Sequence, residues 1–259
     1  MPLNTARAHF SNDQRRQVER ASLLRVQEAG LFRDVPFEHL FLSGQEHREK
    51  NVVKLRNGFS DFIDLMLSPS ALETMSEVHI LSVNWSASYI RGVLSREDIS
   101  SIIANDINPA DGSINTLPAI SDDIAPSDWP SVLAVGSDKL SALRCLHRRQ
   151  QKAKPRQSVE IVYFGDSTTD LECLLEFGGI AISPKAETAQ RTDTKTTDPS
   201  RTAVNGSDLL HVLQTRLNYN VPHVSEYKDE PICWARDFAE IKGSGFLQKR
   251  AANTQSTKA

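Results

Sequence analysis

The sequence predicts an α/β protein, with a parallel sheet of short strands covered by helices on both faces. Two observations carry that prediction. Short apolar runs alternate with amphipathic helical patterns from about residue 56 to residue 182, which is the signature of strand–helix–strand units. The residues best suited to chemistry also fall just after the apolar runs, at the carboxyl ends of strands, where open α/β sheets bind ligands.

Taken in order, Ser11-Asn12-Asp13 can cap a helix running towards Gly30, with Val18, Ala21 and Leu24 on one face. Phe32 to Ser43 is apolar but interrupted by Pro36, and reads as a loop followed by a short helix. Asn57-Gly58 breaks the pattern ahead of a clear amphipathic helix, in which Phe59, Phe62, Ile63 and Met66 follow the i, i+3, i+4, i+7 rule. Val78 to Val83 reads as a buried strand. Ser86 then caps a helix burying Tyr89, Ile90, Val93 and Leu94. Ile102-Ile103-Ala104 is a short strand, and a polar, Pro-containing excursion spans Asn105 to Pro130. Ser137-Asp138 opens the next helix, with Leu140, Leu143 and Leu146 inward. Val159 to Phe164 is the strongest strand pattern, Asp170 to Phe177 the helix after it, and Gly179 to Ile182 a final short strand. Glu187 to Arg201, poor in apolar residues, is expected to be a mobile loop. One more helix is expected over Ser207 to Leu217, and the polar tail after Lys249 is expected to be disordered.

Composition narrows the function classes. The 259 residues carry 30 Lys and Arg against 33 Asp and Glu, a net charge of -3, and the basic residues are scattered. A nucleic-acid partner is therefore not expected. The densest basic run, Arg148 to Lys154, reads as a solvated helix end. No stretch approaches the ~20 apolar residues of a membrane span, and Met1 to Arg20 lacks the apolar core of a secretory signal. Cys145, Cys173 and Cys233 have no close spacing, so three buried thiols in a cytoplasmic protein are expected.

The chemistry concentrates in Gly165-Asp166-Ser167-Thr168-Thr169-Asp170. An apolar strand delivers one acid at its carboxyl end, and a second acid follows four residues later as a helix begins. That spacing lets two carboxylates converge above the strand, an arrangement suited to Mg²⁺, which takes hard oxygen ligands and keeps room for water and phosphate. The plainer alternative makes Asp166 a turn residue and Asp170 a helix N-cap. A dinucleotide site is excluded, because no GxGxxG follows a strand.

This string resembles the fourth motif, GDSxxD, of the haloacid-dehalogenase (HAD) superfamily, which there binds magnesium. Ile80-Leu81-Ser82 looks like the second motif, an apolar strand ending in a hydroxyl that binds the phosphoryl group. Lys139 looks like the lysine of the third motif, and Leu55 to Phe59 is similar to the stretch leading into the second. The resemblance runs from about Arg56 to Ile182 and is nearest to phosphoserine-phosphatase-like members. Where such members often place glycines after the second motif, this chain has Val83, Asn84 and Trp85.

The resemblance implies a Rossmann-like core over residues 56–220, a small helical cap remnant over 1–55 and a C-terminal extension over 221–259. It implies phosphomonoester hydrolysis, with Ser82, Asn84 and Lys139 binding the phosphoryl group of a small substrate, and with Asp166 and Asp170 holding Mg²⁺. The first motif, DxDxT, supplies the family's nucleophile and general acid, and it has no counterpart in this sequence. Asp61 and Asp64 lie on a helix, Asp106 and Asp111 flank a turn, and Asp122-Asp123 sit in a Pro-bounded loop. The expectation is thus a chain that begins inside the family plan, lacks the central first strand and is inactive as given. A non-catalytic binder of a phosphorylated ligand or a protein partner is the alternative.

Overall fold

The structure, a computed structural model, describes residues 3–68, 77–116, 129–155, 159–184 and 209–256. In chain order its elements are α1 (Leu3–Glu28), α2 (Phe37–Glu49), α3 (Phe59–Leu67), β1 (His79–Leu81), α4 (Ala87–Leu94), β2 (Ser101–Ile103), β3 (Asn105–Ile107) and β4 (Ile114–Thr116). Then follow α5 (Gly136–Ala153), β5 (Tyr163–Gly165), α6 (Leu171–Phe177), β6 (Gly179–Ile182), α7 (Leu209–His211), β7 (Ile232–Ala235), α8 (Phe238–Ser244) and α9 (Phe246–Ser256). The protein is therefore mixed α/β with small parallel sheets. No described helix is long and apolar enough to cross a membrane. The chain divides into two compact units, residues 1–55 with 77–159, and residues 56–76 with 160–259.

In the first unit β1 and β2 pair in parallel, with Ile80 opposite Ile102. A hairpin of β3 and β4 follows, antiparallel, with Ile107 opposite Ile114. The polar composition of residues 105–130 hid this hairpin from the sequence reading. It forms because the two isoleucines share one buried cluster with Leu23 of α1, and because Asn108, Gly112 and Ser113 close the turn with backbone bonds of 2.8 Å. Ser86 caps α4 as expected, accepting from the Tyr89 amide at 3.0 Å. Helix α2 lies against α4, where His47 Nδ1 meets the Tyr89 hydroxyl at 2.8 Å.

Helix α1 departs from expectation in two ways. Its backbone is helical from Leu3, so Ser11-Asn12-Asp13 lies inside the helix rather than at its cap. Its buried face is also different: Val18 and Leu24 are 64% and 55% exposed, whereas Leu23 is 8% exposed. The cause is a long-range ion pair. Asp138 of α5 is fully buried, its Oδ2 accepting the Ala134 and Val135 amides at 3.0 and 3.1 Å. Its other oxygen takes Arg16, with Arg20 at 3.9 Å. Burying a carboxylate without a partner is costly, and that requirement sets which face of α1 turns inward.

The second unit is a three-stranded parallel sheet in the order β5-β6-β7. Central β6 is buried along its whole length, which suits a strand covered on both faces. Helix α3 is the amphipathic helix predicted, with Phe62 and Ile63 buried. Each such side chain contributes ~1.5–3 kcal/mol by leaving water. Strand β7 was not foreseen: Gly179 to Ile182 is not the last strand, because Ile232 to Ala235 pairs beyond it. The tail after Lys249 is likewise not irregular, since the α9 backbone stays helical to Ser256. Phe246, fully buried, and Arg250, bound to Glu160 Oε1 at 2.5 Å, anchor its start. Cys145, Cys173 and Cys233 are buried and unbridged, and burial pushes the Cys233 thiol up to about 12. Asp122-Asp123, the 187–201 loop and the start of the Ser207 helix lie outside the described residues.

Candidate functional site

Strand β5 ends in Gly165, and Asp166 follows at its carboxyl end. The chain then makes a single 3-10 turn, Thr168 to Asp170, before α6. Asp170 organises this loop. It is 4% exposed, and its Oδ2 accepts from the amides of Asp166 at 3.2 Å and Ser167 at 3.0 Å, and from the Ser167 hydroxyl at 3.0 Å. Its Oδ1 accepts from the Tyr163 hydroxyl at 2.7 Å. Burial, then the Asp170 charge, hold the Tyr163 phenol far above its usual range. It therefore donates to the carboxylate and does not compete with it as an anion. Glycine is required at position 165: a Cβ there would stand 2.3 Å from the Asp170 Cβ. The carboxylate is thereby drawn into the loop.

Asp166 behaves differently. Its side chain is 49% exposed, and its Oδ2 takes the guanidinium of Arg56, itself 35% exposed. Arg56 belongs to a segment fastened at several points within the same unit. The Asn57 side chain donates to Asp237 Oδ2 at 3.0 Å, and the Phe238 amide donates to the Asn57 carbonyl at 3.1 Å. Gly58 has φ 74° and lies so near α8 that a Cβ would meet the Ala239 nitrogen at 2.4 Å. Phe59 and Phe62 then pack edge-on or tilted against Phe238, with centroids 5.2 Å apart.

The other candidates lie in the first unit. Ser82 continues the β1 ladder through its amide, which donates to the Ile103 carbonyl at 2.9 Å. Its hydroxyl accepts from the Asn84 amide at 3.1 Å, and Asn84 Oδ1 accepts from the Ser86 amide at 2.9 Å. Ser82 and Asn84 thus share one tight turn at the carboxyl end of β1. Behind it stands Asn105, fully buried, whose Nδ2 donates to the carbonyls of Asn84 at 3.1 Å and Leu133 at 2.8 Å. Its Oδ1 accepts from the Leu133 amide at 2.8 Å and the Thr116 hydroxyl at 3.1 Å. Lys139 sits in the first turn of α5, 6% exposed. Asp106 accepts from the hydroxyls of Ser86 and Ser88 at 3.1 and 3.0 Å and from the Ile107 amide at 3.1 Å. Sequence reasoning missed Arg56 as the partner of Asp166, and Asn105 as the buried support of the Ser82 turn. Nothing local marks either role.

One comparison with known proteins bears on this chain. It is similar to a CTO1 family protein of Schizosaccharomyces pombe. The two are 29% identical over 164 residues, covering 61% of this chain and 55% of the relative. The chain thus spans about half the length of the curated relative it matches. No protein-family model matches it, and neither does any solved structure.

The loop gives a direct test of fit for magnesium. A two-carboxylate site needs oxygens from both acids, and both Asp170 oxygens already accept hydrogen bonds that shape the loop. Among the described residues, no group of three or more His, Cys, Asp or Glu is placed to hold a metal. Of the two acids, Asp166 has the exposure and position of an outward-facing ligand.

Proposed function

We propose that this chain is a HAD-like, phosphatase-type module that binds the phosphoryl group of a small phosphorylated molecule. The observation that carries the reading is the tight turn at the carboxyl end of the parallel strand β1, which brings Ser82 and Asn84 together at the place where α/β sheets bind ligands. In this reading the Ser82 hydroxyl and the Asn84 side-chain N–H donate to phosphoryl oxygens, and Lys139 offers positive charge.

The same geometry favours binding over turnover. The acids that follow strands β5 and β7 are all engaged. Asp166 is paired with Arg56, Asp170 braces its loop, and Asp237 caps α8 through the Glu240 amide at 3.0 Å. Asp106, within β3, is buried behind three donors. Among the described residues, no strand-end carboxylate is poised to attack phosphorus, and covalent phosphoryl transfer of the HAD type requires one.

Two measurements test this. Phenyl phosphate titrated into the chain should bind saturably, and Ser82→Ala and Lys139→Met should each weaken it about tenfold, the loss of one hydrogen bond to a charged group. Binding that is absent, or indifferent to both substitutions, refutes the reading. Hydrolysis of p-nitrophenyl phosphate should stay at background. Turnover abolished by Asp166→Asn would show that the chain is catalytic after all.

A further inference from the structure

We propose that Arg56 is a built-in counter-cation for Asp166, occupying with its guanidinium the position at the end of β5 that a divalent metal would take. The inference rests on reading Gly165 to Asp170 as a HAD-like acidic loop, and it names how that loop is regulated: the arginine silences it towards metals. Asp170 is spent on the Tyr163 hydroxyl and on the Asp166 and Ser167 donors, so the loop offers one outward carboxylate. That carboxylate already has a cation.

The backbone around Arg56 is held at several points. Its neighbour Asn57 is tied to Asp237 and to the Phe238 amide. Gly58 is pressed against Ala239, and the Phe59 amide donates to the Arg56 carbonyl at 3.1 Å. The backbone that carries Arg56 is therefore fixed within the unit that carries Asp166, which keeps the arginine within reach of that carboxylate. A dication approaching Asp166 must displace the guanidinium and bear its repulsion. For a half-exposed pair these effects together correspond to about tenfold in affinity.

The test is calorimetric titration of the whole chain with Mg²⁺ alone, and then with Mn²⁺ alone. Arg56→Gln should gain about tenfold in affinity over the parent. Arg56→Lys, which keeps the charge, should gain nothing, and adding Asp166→Asn to Arg56→Gln should erase the gain. Circular dichroism melts check that each variant is folded. A parent that binds Mg²⁺ as tightly as Arg56→Gln overturns the proposal, and so does a gain that survives Asp166→Asn. Phenyl phosphate is titrated into the same proteins to separate the two readings. Phosphate binding retained without a metal gain removes this inference alone, while no phosphate binding in the parent removes the HAD-like reading beneath it.

Discussion

Asn105→Leu should cost the chain several kcal/mol of stability, although the two side chains are nearly equal in size. Asn105 is fully buried, and its amide group meets both the amide and the carbonyl of Leu133, the carbonyl of Asn84 and the hydroxyl of Thr116. Leucine would fill the space and leave those groups without their partner. Each buried polar group so orphaned costs ~1–3 kcal/mol. Asn84 keeps a second donor, the Asn105 amide at 3.3 Å, so the expected loss is about 3–6 kcal/mol rather than the full sum. Against a usual net stability of ~5–15 kcal/mol, that is enough to unfold a marginal domain. Urea denaturation followed by circular dichroism measures it. A loss below about 0.5 kcal/mol, the size of an ordinary surface change, would mean that Asn105 is not the support of the Ser82 turn.

The hub also shows where reading the sequence succeeds and where it stops. Helices α3 and α4 were legible because their signals are local: an i, i+3, i+4 apolar pattern after Asn57-Gly58, and a serine cap at Ser86. Strand β6 was legible because burial on both faces leaves an unbroken apolar run. The acidic loop was legible as a string, down to the spacing of Asp166 and Asp170. Which partners the two acids take was not: Tyr163 for Asp170 and Arg56 for Asp166. Arg56 lies 110 residues from its partner, and Arg16 lies 122 residues from Asp138. No local period records such pairs. The face of α1 was misread for the same reason, since a helix with polar residues nearly all round takes its orientation from a partner. Strand β7 escaped notice because four residues between Pro231 and Arg236 carry too little pattern. Asn105 looked like loop composition, and a polar residue at the centre of a core always will.

Asp170→Ala should be nearly as damaging, and it decides between the two roles open to that residue. As a brace, Asp170 satisfies two loop amides, the Ser167 hydroxyl and the buried Tyr163 hydroxyl. Bonds to a charged acceptor are each worth ~1.5–3 kcal/mol. Some of the freed donors near Asp166 can reach water, so the expected loss is about 3–5 kcal/mol rather than the whole sum. Part of that loss is the buried phenol, which keeps only the weaker Cys173 sulfur as a partner. Tyr163→Phe made in the Asp170→Ala background should therefore recover about 1–2 kcal/mol, whereas Tyr163→Phe alone should destabilise. Magnesium supplies the second discriminator. A ligand that binds only the folded state adds stability in proportion to the logarithm of its concentration. If Asp170 held the metal, the difference between parent and Asp170→Ala would widen as Mg²⁺ is raised. A brace loses the same stability with or without the ion. Denaturation curves for parent, both single variants and the double variant, each at zero and at high Mg²⁺, settle the matter. A gap that grows with magnesium returns Asp170 to the metal; a constant gap, partly closed by Tyr163→Phe, fixes it as the brace that shapes the loop.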